Sequence, residues 1–227
     1  MVADSPLPIE TDIKPLNVSS AVGDTKHKVL IATLHSPDPV ILACTRLGPD
    51  KLYLLVDKDP PKEQVDAFDL IKSSLGKVMD VKEVKVEPYD VVGVAKRVVE
   101  LIDTLDINEN DIFANITAGR KTKAIGLLFA CYARHEAVKR IAYNPEEDKK
   151  SIVWLPRLSF HLTDSQKMIL EQLDKSEFRS IKDLADKLDG KLSSGMVYRA
   201  IDELKDMDLV ETEPSIGLTD AGRIARL

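Results

Sequence analysis

Apolar residues in this chain cluster into short runs of strand length, separated by stretches with helical spacing. Lys28 to Leu34 (KVLIATL), Lys51 to Val56 (KLYLLV) and Ile112 to Ile116 (IFANI) are near-continuous runs, and Val81 to Glu87 alternates. Val138 to Tyr143 and Ser151 to Leu155 add two more, joined by the turn NPEEDKK. Between them, Val65, Phe68, Ile71 and Leu75 share one helical face, as do Val94, Val98, Leu101, Ile102 and Leu105 within Asp90 to Leu105. Pro39 suits the first position of a helix running to Leu47, after the turn His35 to Pro39 and before Gly48-Pro49. Strand and helix alternate throughout. That order predicts an α/β, Rossmann-like, mostly parallel sheet with helices on both faces, and continuous apolar strands suit a sheet covered on both sides. Ligands of such sheets sit beyond the carboxyl ends of the strands. The loops Thr33 to Asp38, Asp57 to Pro61 and Thr117 to Lys123 occupy those places.

The pattern changes near Ser159. Thr163-x-x-Gln166 is a capping box opening a helix with Met168, Ile169, Leu170 and Leu173. Ser180 starts a second helix with Ile181, Leu184, Ala185 and Leu188, and Ser193 or Ser194 caps a third with Val197, Ile201 and Leu204. Leu209 to Thr212 and Ile216 to Leu218 read as a hairpin, and Thr219 caps a last helix. Three helices, a hairpin and a helix make the plan of a winged helix-turn-helix, whose third helix enters the DNA major groove. The expected organisation is a leader over 1–26, an α/β domain over 27–158 and a winged helix-turn-helix domain over 159–227.

The stretch from Asp111 to Ala133 carries the most chemistry. A strand leads through Thr117, Ala118 and Gly119 to Arg120 and Lys121, and then to a helix apolar almost all round from Ala124 to Ala133. A helix apolar on every side is expected to be buried on every side, against its own sheet and against a second subunit. Basic residues at a helix start are mildly unfavourable on their own. With the unpaired N–H groups of the first turn, Arg120, Lys121 and Lys123 instead favour an anion, phosphate being the commonest. Neither G-x-G-x-x-G nor G-x-x-x-x-G-K-[ST] occurs, which argues against a dinucleotide dehydrogenase or a P-loop NTPase.

Composition narrows the class. The 227 residues are 44% hydrophobic and 31% charged, and the run ending at Ala133 is far shorter than the roughly 18 residues a membrane span needs. The start, MVADSPLPIETDIK, has no secretory signal pattern. Cys44 and Cys131 sit in apolar helical patterns and suit a reducing cytoplasm. His27, His35, His135 and His161 lack metal-ligand spacing, so neither a metal nor a cofactor is inferred. A net charge of −6 argues against nonspecific nucleic-acid coating. Tyr132, Tyr143 and Trp154 are candidates to stack on a base, although core or interface packing is the commoner role.

KVLIATLHSPDPVI, GPDKLYLLVD and above all NITAGRKTKA resemble the CRISPR-associated Rossmann-fold (CARF) sensor domains. With a winged helix behind, residues from about Lys28 to Leu227 resemble the archaeal CARF–winged-helix transcriptional regulators of type I CRISPR systems. The resemblance implies a homodimer in antiviral defence that shares one cyclic oligoadenylate, most often the tetra-adenylate. Thr33, Leu34, His35 and Ser36 would line one wall of the pocket. Asn115, Thr117, Ala118, Gly119, Arg120 and Lys121 would form the other and cradle phosphates. His35 stands where many relatives have glycine and Ala118 where a second glycine is frequent, and both narrow the room for backbone approach.

In the third helix, Arg199 is placed to read a guanine edge, with Ser193, Ser194 and Tyr198 at phosphates or bases. Arg179, Lys182 and Lys191 would hold the double-stranded DNA backbone. Against this, residues from Ser159 onward hold 10 Lys and Arg against 14 Asp and Glu, a net of −4. The expected function is a ligand-gated transcriptional regulator in the cytoplasm, with no membrane attachment. Two alternatives are an adaptor whose winged domain binds protein and a ring nuclease that cleaves its cyclic ligand, with Ser36 or Thr33 orienting a ribose hydroxyl, Lys121 at the phosphate and His35 as base.

Overall fold

The computed structural model describes residues 26–145, 148, 151–156, 158 and 161–227. Nearly all of the expected leader, part of the NPEEDKK turn and the expected domain boundary at Ser159 lie outside the described residues. One sheet contains β1 (His27–Thr33), β2 (Lys51–Asp57), β3 (Asp80–Val86), β4 (Asn110–Asn115), β5 (Val138–Tyr143) and β6 (Val153–Leu155), in the order β3-β2-β1-β4-β5-β6. All neighbours are parallel except β6, which runs antiparallel to β5. The alternating strand β3 is an edge. Its Val81, Val84 and Val86 are buried, while the exposed Lys82, Glu83 and Lys85 discourage further strand pairing.

Helices α1 (Pro37–Leu47) and α2 (Lys62–Leu75) cover one face, closing Val40, Cys44, Ala67 and Ile71 over Leu30, Ala32, Leu52 and Leu54. Helices α3 (Val91–Asp103) and α4 (Lys121–Ala133) cover the other, with Val94, Val98, Leu127 and Cys131 against Val29, Ile31, Ile112 and Ile141. Each such buried aliphatic side chain contributes about 1.5–3 kcal/mol. Helix α1 starts at Pro37, two residues before the expected Pro39. Both prolines fit because first-turn N–H groups need no intrahelical acceptor. The thiols of Cys44 and Cys131 are buried and unbonded, and burial pushes them up to about 11 and about 12.

The expected burial of α4 is met on the side of its own sheet. Gly126, Leu127, Ala130 and Cys131 face α3 and the sheet, but Ile125 is 42% exposed and Leu128 and Phe129 are half-buried. Among the described residues the apolar helix finds cover on one side only.

The C-terminal part holds α5 (Asp164–Lys175), α6 (Ile181–Lys187), α7 (Ser194–Asp206), the antiparallel pair β7 (Val210–Glu211) and β8 (Gly217–Leu218), and α8 (Asp220–Ala225). The Thr163–Gln166 capping box forms in both directions, and Ser180, Ser193 and Thr219 each cap a helix through their hydroxyls. This part has its own core, including Ile169, Leu173, Leu184, Val197, Ile201, Leu204 and Leu218. α8 docks on α3 and α4, where Leu227 packs against the first core.

Candidate functional site

Strand order reverses at β1, with β2 on one side and β4 on the other. The carboxyl ends of β1 and β4 therefore form the switch point at which ligands of open α/β sheets sit. The loops predicted from sequence, after Thr33 and after Asn115, meet at this place.

Asn115, the last residue of β4, organises the corner. Its Oδ1 accepts the Thr117 N–H at 3.0 Å, and its Nδ2 donates to Asn144 Oδ1 at 2.9 Å. The Asn144 N–H in turn donates to Thr117 Oγ1 at 2.8 Å, tying the end of β5 to the turn. Gly119 follows at φ +88, a left-handed conformation that L side chains disfavour. A Cβ there would lie 3.1 Å from the Leu34 carbonyl oxygen and 3.3 Å from Lys123 Cε, so the turn lies against the end of β1. Arg120 occupies the N-cap of α4 and makes no side-chain cap. A guanidinium cannot accept a hydrogen bond, so Arg120 leaves the first-turn N–H groups without a side-chain cap.

The cations divide into two kinds. Arg120 and Lys121 are exposed. Lys123, grouped with them from sequence as an anion partner, is fully buried instead. Its Nζ donates to Asp57 Oδ1 at 2.5 Å, to the Leu34 carbonyl at 3.0 Å and to the Leu55 carbonyl at 3.4 Å, which satisfies all three of its donors. Gln64 completes this network, accepting the Asp57 N–H at 2.7 Å and donating to the Leu34 carbonyl at 2.8 Å. Burial raises the Asp57 pKa, but the hydrogen bond and charge of Lys123, with help from Gln64 and Arg120, outweigh it and hold the carboxyl below its usual range. Burial also holds the Lys123 ammonium below its usual range, partly offset by Asp57. Arg120 Nε lies 3.3 Å from Asp57 Oδ2, and its guanidinium covers the Tyr89 ring at 4.8 Å.

Beside the corner, a cavity of about 500 Å³ opens between α1 and the end of β5. Ser36, Asp38, Thr45, Thr117 and Asn144 supply its polar lining, and Pro39, Ile41, Leu42 and Pro145 its apolar lining. That volume lies within the range of small-molecule sites. Of the other expected wall residues, His35 is exposed, Leu34 is fully buried, and Ala118 is buried at 6% exposure. Thr33 is fully buried, and its hydroxyl finds no hydrogen-bond partner among the described residues. Of the two hydroxyls expected to orient a ribose, only that of Ser36 reaches the cavity. Gln64, Tyr89 and Asn144 were not anticipated as parts of the site, Asp57 was expected only as the start of a loop, and Lys123 was expected to meet an anion rather than a buried carboxylate. A carboxylate ending the apolar run KLYLLVD and a lysine in the first turn of an apolar helix were the available signals.

Residues 29–148 match the family described as "HFX_2341_N:-like, N-terminal", which covers just over half of the chain. The chain belongs to that family. No curated protein matches it in sequence. Among solved structures, this family member is similar to Can2 from Sulfobacillus thermosulfidooxidans in complex with cyclic tetra-adenylate, at 15% identity and a TM-score of 0.47, covering 88% of this chain and 64% of that one. It is also similar to Csm6 from Enterococcus italicus bound to cyclic hexa-2'-fluoro-hexa-dAMP, at 14% identity and a TM-score of 0.48, covering 82% and 57%. The chain thus spans less than two thirds of the length of either structure.

The seven candidates for DNA contact, Arg179, Lys182, Lys191, Ser193, Ser194, Tyr198 and Arg199, are all exposed. Arg199 is engaged along α7 by Glu203, at 2.9 Å, and Glu203 also accepts a hydrogen bond from Gln166. No helix among the described residues is long and apolar enough to cross a membrane.

Proposed function

We propose that this chain is a cyclic-oligoadenylate sensor of a CRISPR system that acts as a homodimeric, DNA-binding transcriptional regulator. One observation carries the sensor reading. A rigid strand-to-helix corner at the switch point presents an uncapped α4 N-terminus flanked by exposed Arg120 and Lys121, a combination suited to phosphate groups. The Lys123–Asp57 pair braces that corner from beneath without consuming both exposed cations. The flank of α4 at Ile125 and Phe129 suits a second copy of the chain, which would set two corners around one ring.

The C-terminal part, read as a winged helix-turn-helix, would insert α7 into the major groove, with Tyr198 and Arg199 toward the bases and Arg179, Lys182 and Lys191 at phosphates. Ligand would act by favouring one placement of the two C-terminal parts over another. The ion pair holding Arg199 to Glu203 favours one competing reading, an adaptor whose acidic α7 binds protein.

The test is a gel shift with DNA from upstream of neighbouring CRISPR genes, with and without radiolabelled cyclic tetra-adenylate. A ligand-dependent shift with intact ring supports the regulator. No shift at low salt favours the adaptor, and a linear product favours a ring nuclease.

A further inference from the structure

We propose that Tyr89 is a stacking platform for a nucleobase of the ligand held at the α4 corner. The inference rests on reading that corner as a nucleotide site, and it names a ligand contact that the sequence motif does not contain. Tyr89 lies in the short connection between β3 and α3, and both of its neighbours are pinned. The Pro88 carbonyl accepts a hydrogen bond from Thr122 Oγ1 in the first turn of α4. Asp90 caps α3, its Oδ1 accepting the Gly93 N–H at 2.8 Å, and its own N–H donates to the Glu87 carbonyl at 3.2 Å.

Between these fixed points the Tyr89 side chain stands 69% exposed. A large aromatic held so far out contributes little to the core, so packing does not account for it. What it does touch is the guanidinium of Arg120, at 4.8 Å from the ring centroid. Arg120 is also the N-cap of α4 and the ion-pair partner of Asp57. One cation therefore joins an exposed flat ring to the place where a phosphate would bind.

A nucleotide presents the two matching halves, a phosphate for Arg120 and the uncapped helix N–H groups and a planar base for the ring. Stacking on an aromatic tolerates any base and strengthens when a guanidinium shares the stack. Because the loop is already fixed, little conformational freedom is lost on binding. Two of the three aromatics singled out by sequence lie elsewhere. Tyr132 lines the seam between α4 and the C-terminal part, and Trp154, on β6, is covered by Arg140 at 5.0 Å.

The experiment is calorimetric titration of the full chain with cyclic tetra-adenylate and, separately, with inorganic tripolyphosphate, which has charge but no base. Tyr89→Phe is expected to bind both as the unmodified chain does. Tyr89→Ala is expected to keep its affinity for tripolyphosphate but to bind the cyclic nucleotide roughly 5- to 100-fold more weakly, the loss of one stacked base. Unchanged cyclic-nucleotide affinity in Tyr89→Ala would overturn the stacking role and leave the corner intact as a site. Equal losses for both ligands would also overturn it, because the ring would then only position Arg120. If the unmodified chain binds neither ligand, the nucleotide reading of the corner fails and takes this inference with it.

Discussion

Lys123 and Asp57 show how much a residue's meaning depends on where its neighbours lie. Both side chains are almost wholly inaccessible, at 0% and 3% exposure. Removing one partner of such a pair strands a buried charge and costs about 3–5 kcal/mol, whereas replacing both with apolar residues of similar size is often near neutral. Lys123→Met and Asp57→Leu are each expected to lower the unfolding free energy by that amount in denaturant titrations. The double variant is expected to lose less than either single one. The pair also sets a pH dependence. Asp57 has a lowered pKa in the fold, so its stabilisation is complete above its unfolded value of about 3.9 and disappears as pH falls through the lower folded value. Unfolding measured between about pH 5 and pH 2 should show an acid limb that is shallower in Asp57→Asn. From sequence, Lys123 was indistinguishable from Arg120 and Lys121, because three basic residues in four positions read alike. The acceptors that draw it inward, just past β1 and on β2, lie more than sixty residues away in the chain.

At the scale of elements, α3 and α4 form a single packed pair. A Cβ on Gly126 would lie 2.6 Å from Val94 Cγ1 and 3.0 Å from the Val91 carbonyl oxygen. Replacing glycine by alanine inside a helix ordinarily stabilises by up to about 1 kcal/mol, but overpacking a tight contact costs about 1–3 kcal/mol. The clash is with backbone and a β-branched side chain, so it dominates. Gly126→Ala should melt several degrees below the unmodified chain in thermal scans, and Gly126→Val lower still. The strand and helix order was legible because each strand is a short apolar run bounded by turn residues. The caps at Thr163, Ser180 and Thr219 were legible because their signals are local. The exposed flank of α4 was not, since an apolar pattern says that a helix seeks cover but not whether its own chain supplies it.

Across the whole molecule, α4 runs from the candidate anion corner to the C-terminal part. Its first turn holds Lys121, Thr122 and Lys123, and Arg134 just beyond its last turn grips Asp103 through two hydrogen bonds at 2.6 and 2.8 Å. Arg134 also donates to the Leu227 carbonyl, and a cavity of about 270 Å³ lies in the seam alongside. A single thirteen-residue helix about 20 Å long thus separates the corner from the contacts with α8. Arg134→Ala is expected to raise hydrogen exchange in α8 while leaving β1 and β4 protected. Unchanged exchange in α8 would show that this contact does not hold the C-terminal part. The most direct test of the sensor reading is a calorimetric titration of the chain with cyclic tetra-adenylate, run beside the Arg120→Ala/Lys121→Ala double variant. The account predicts saturation at one ring per two chains and at least about tenfold weaker binding in the variant. No binding by the unmodified chain, or equal affinity in both, would contradict it.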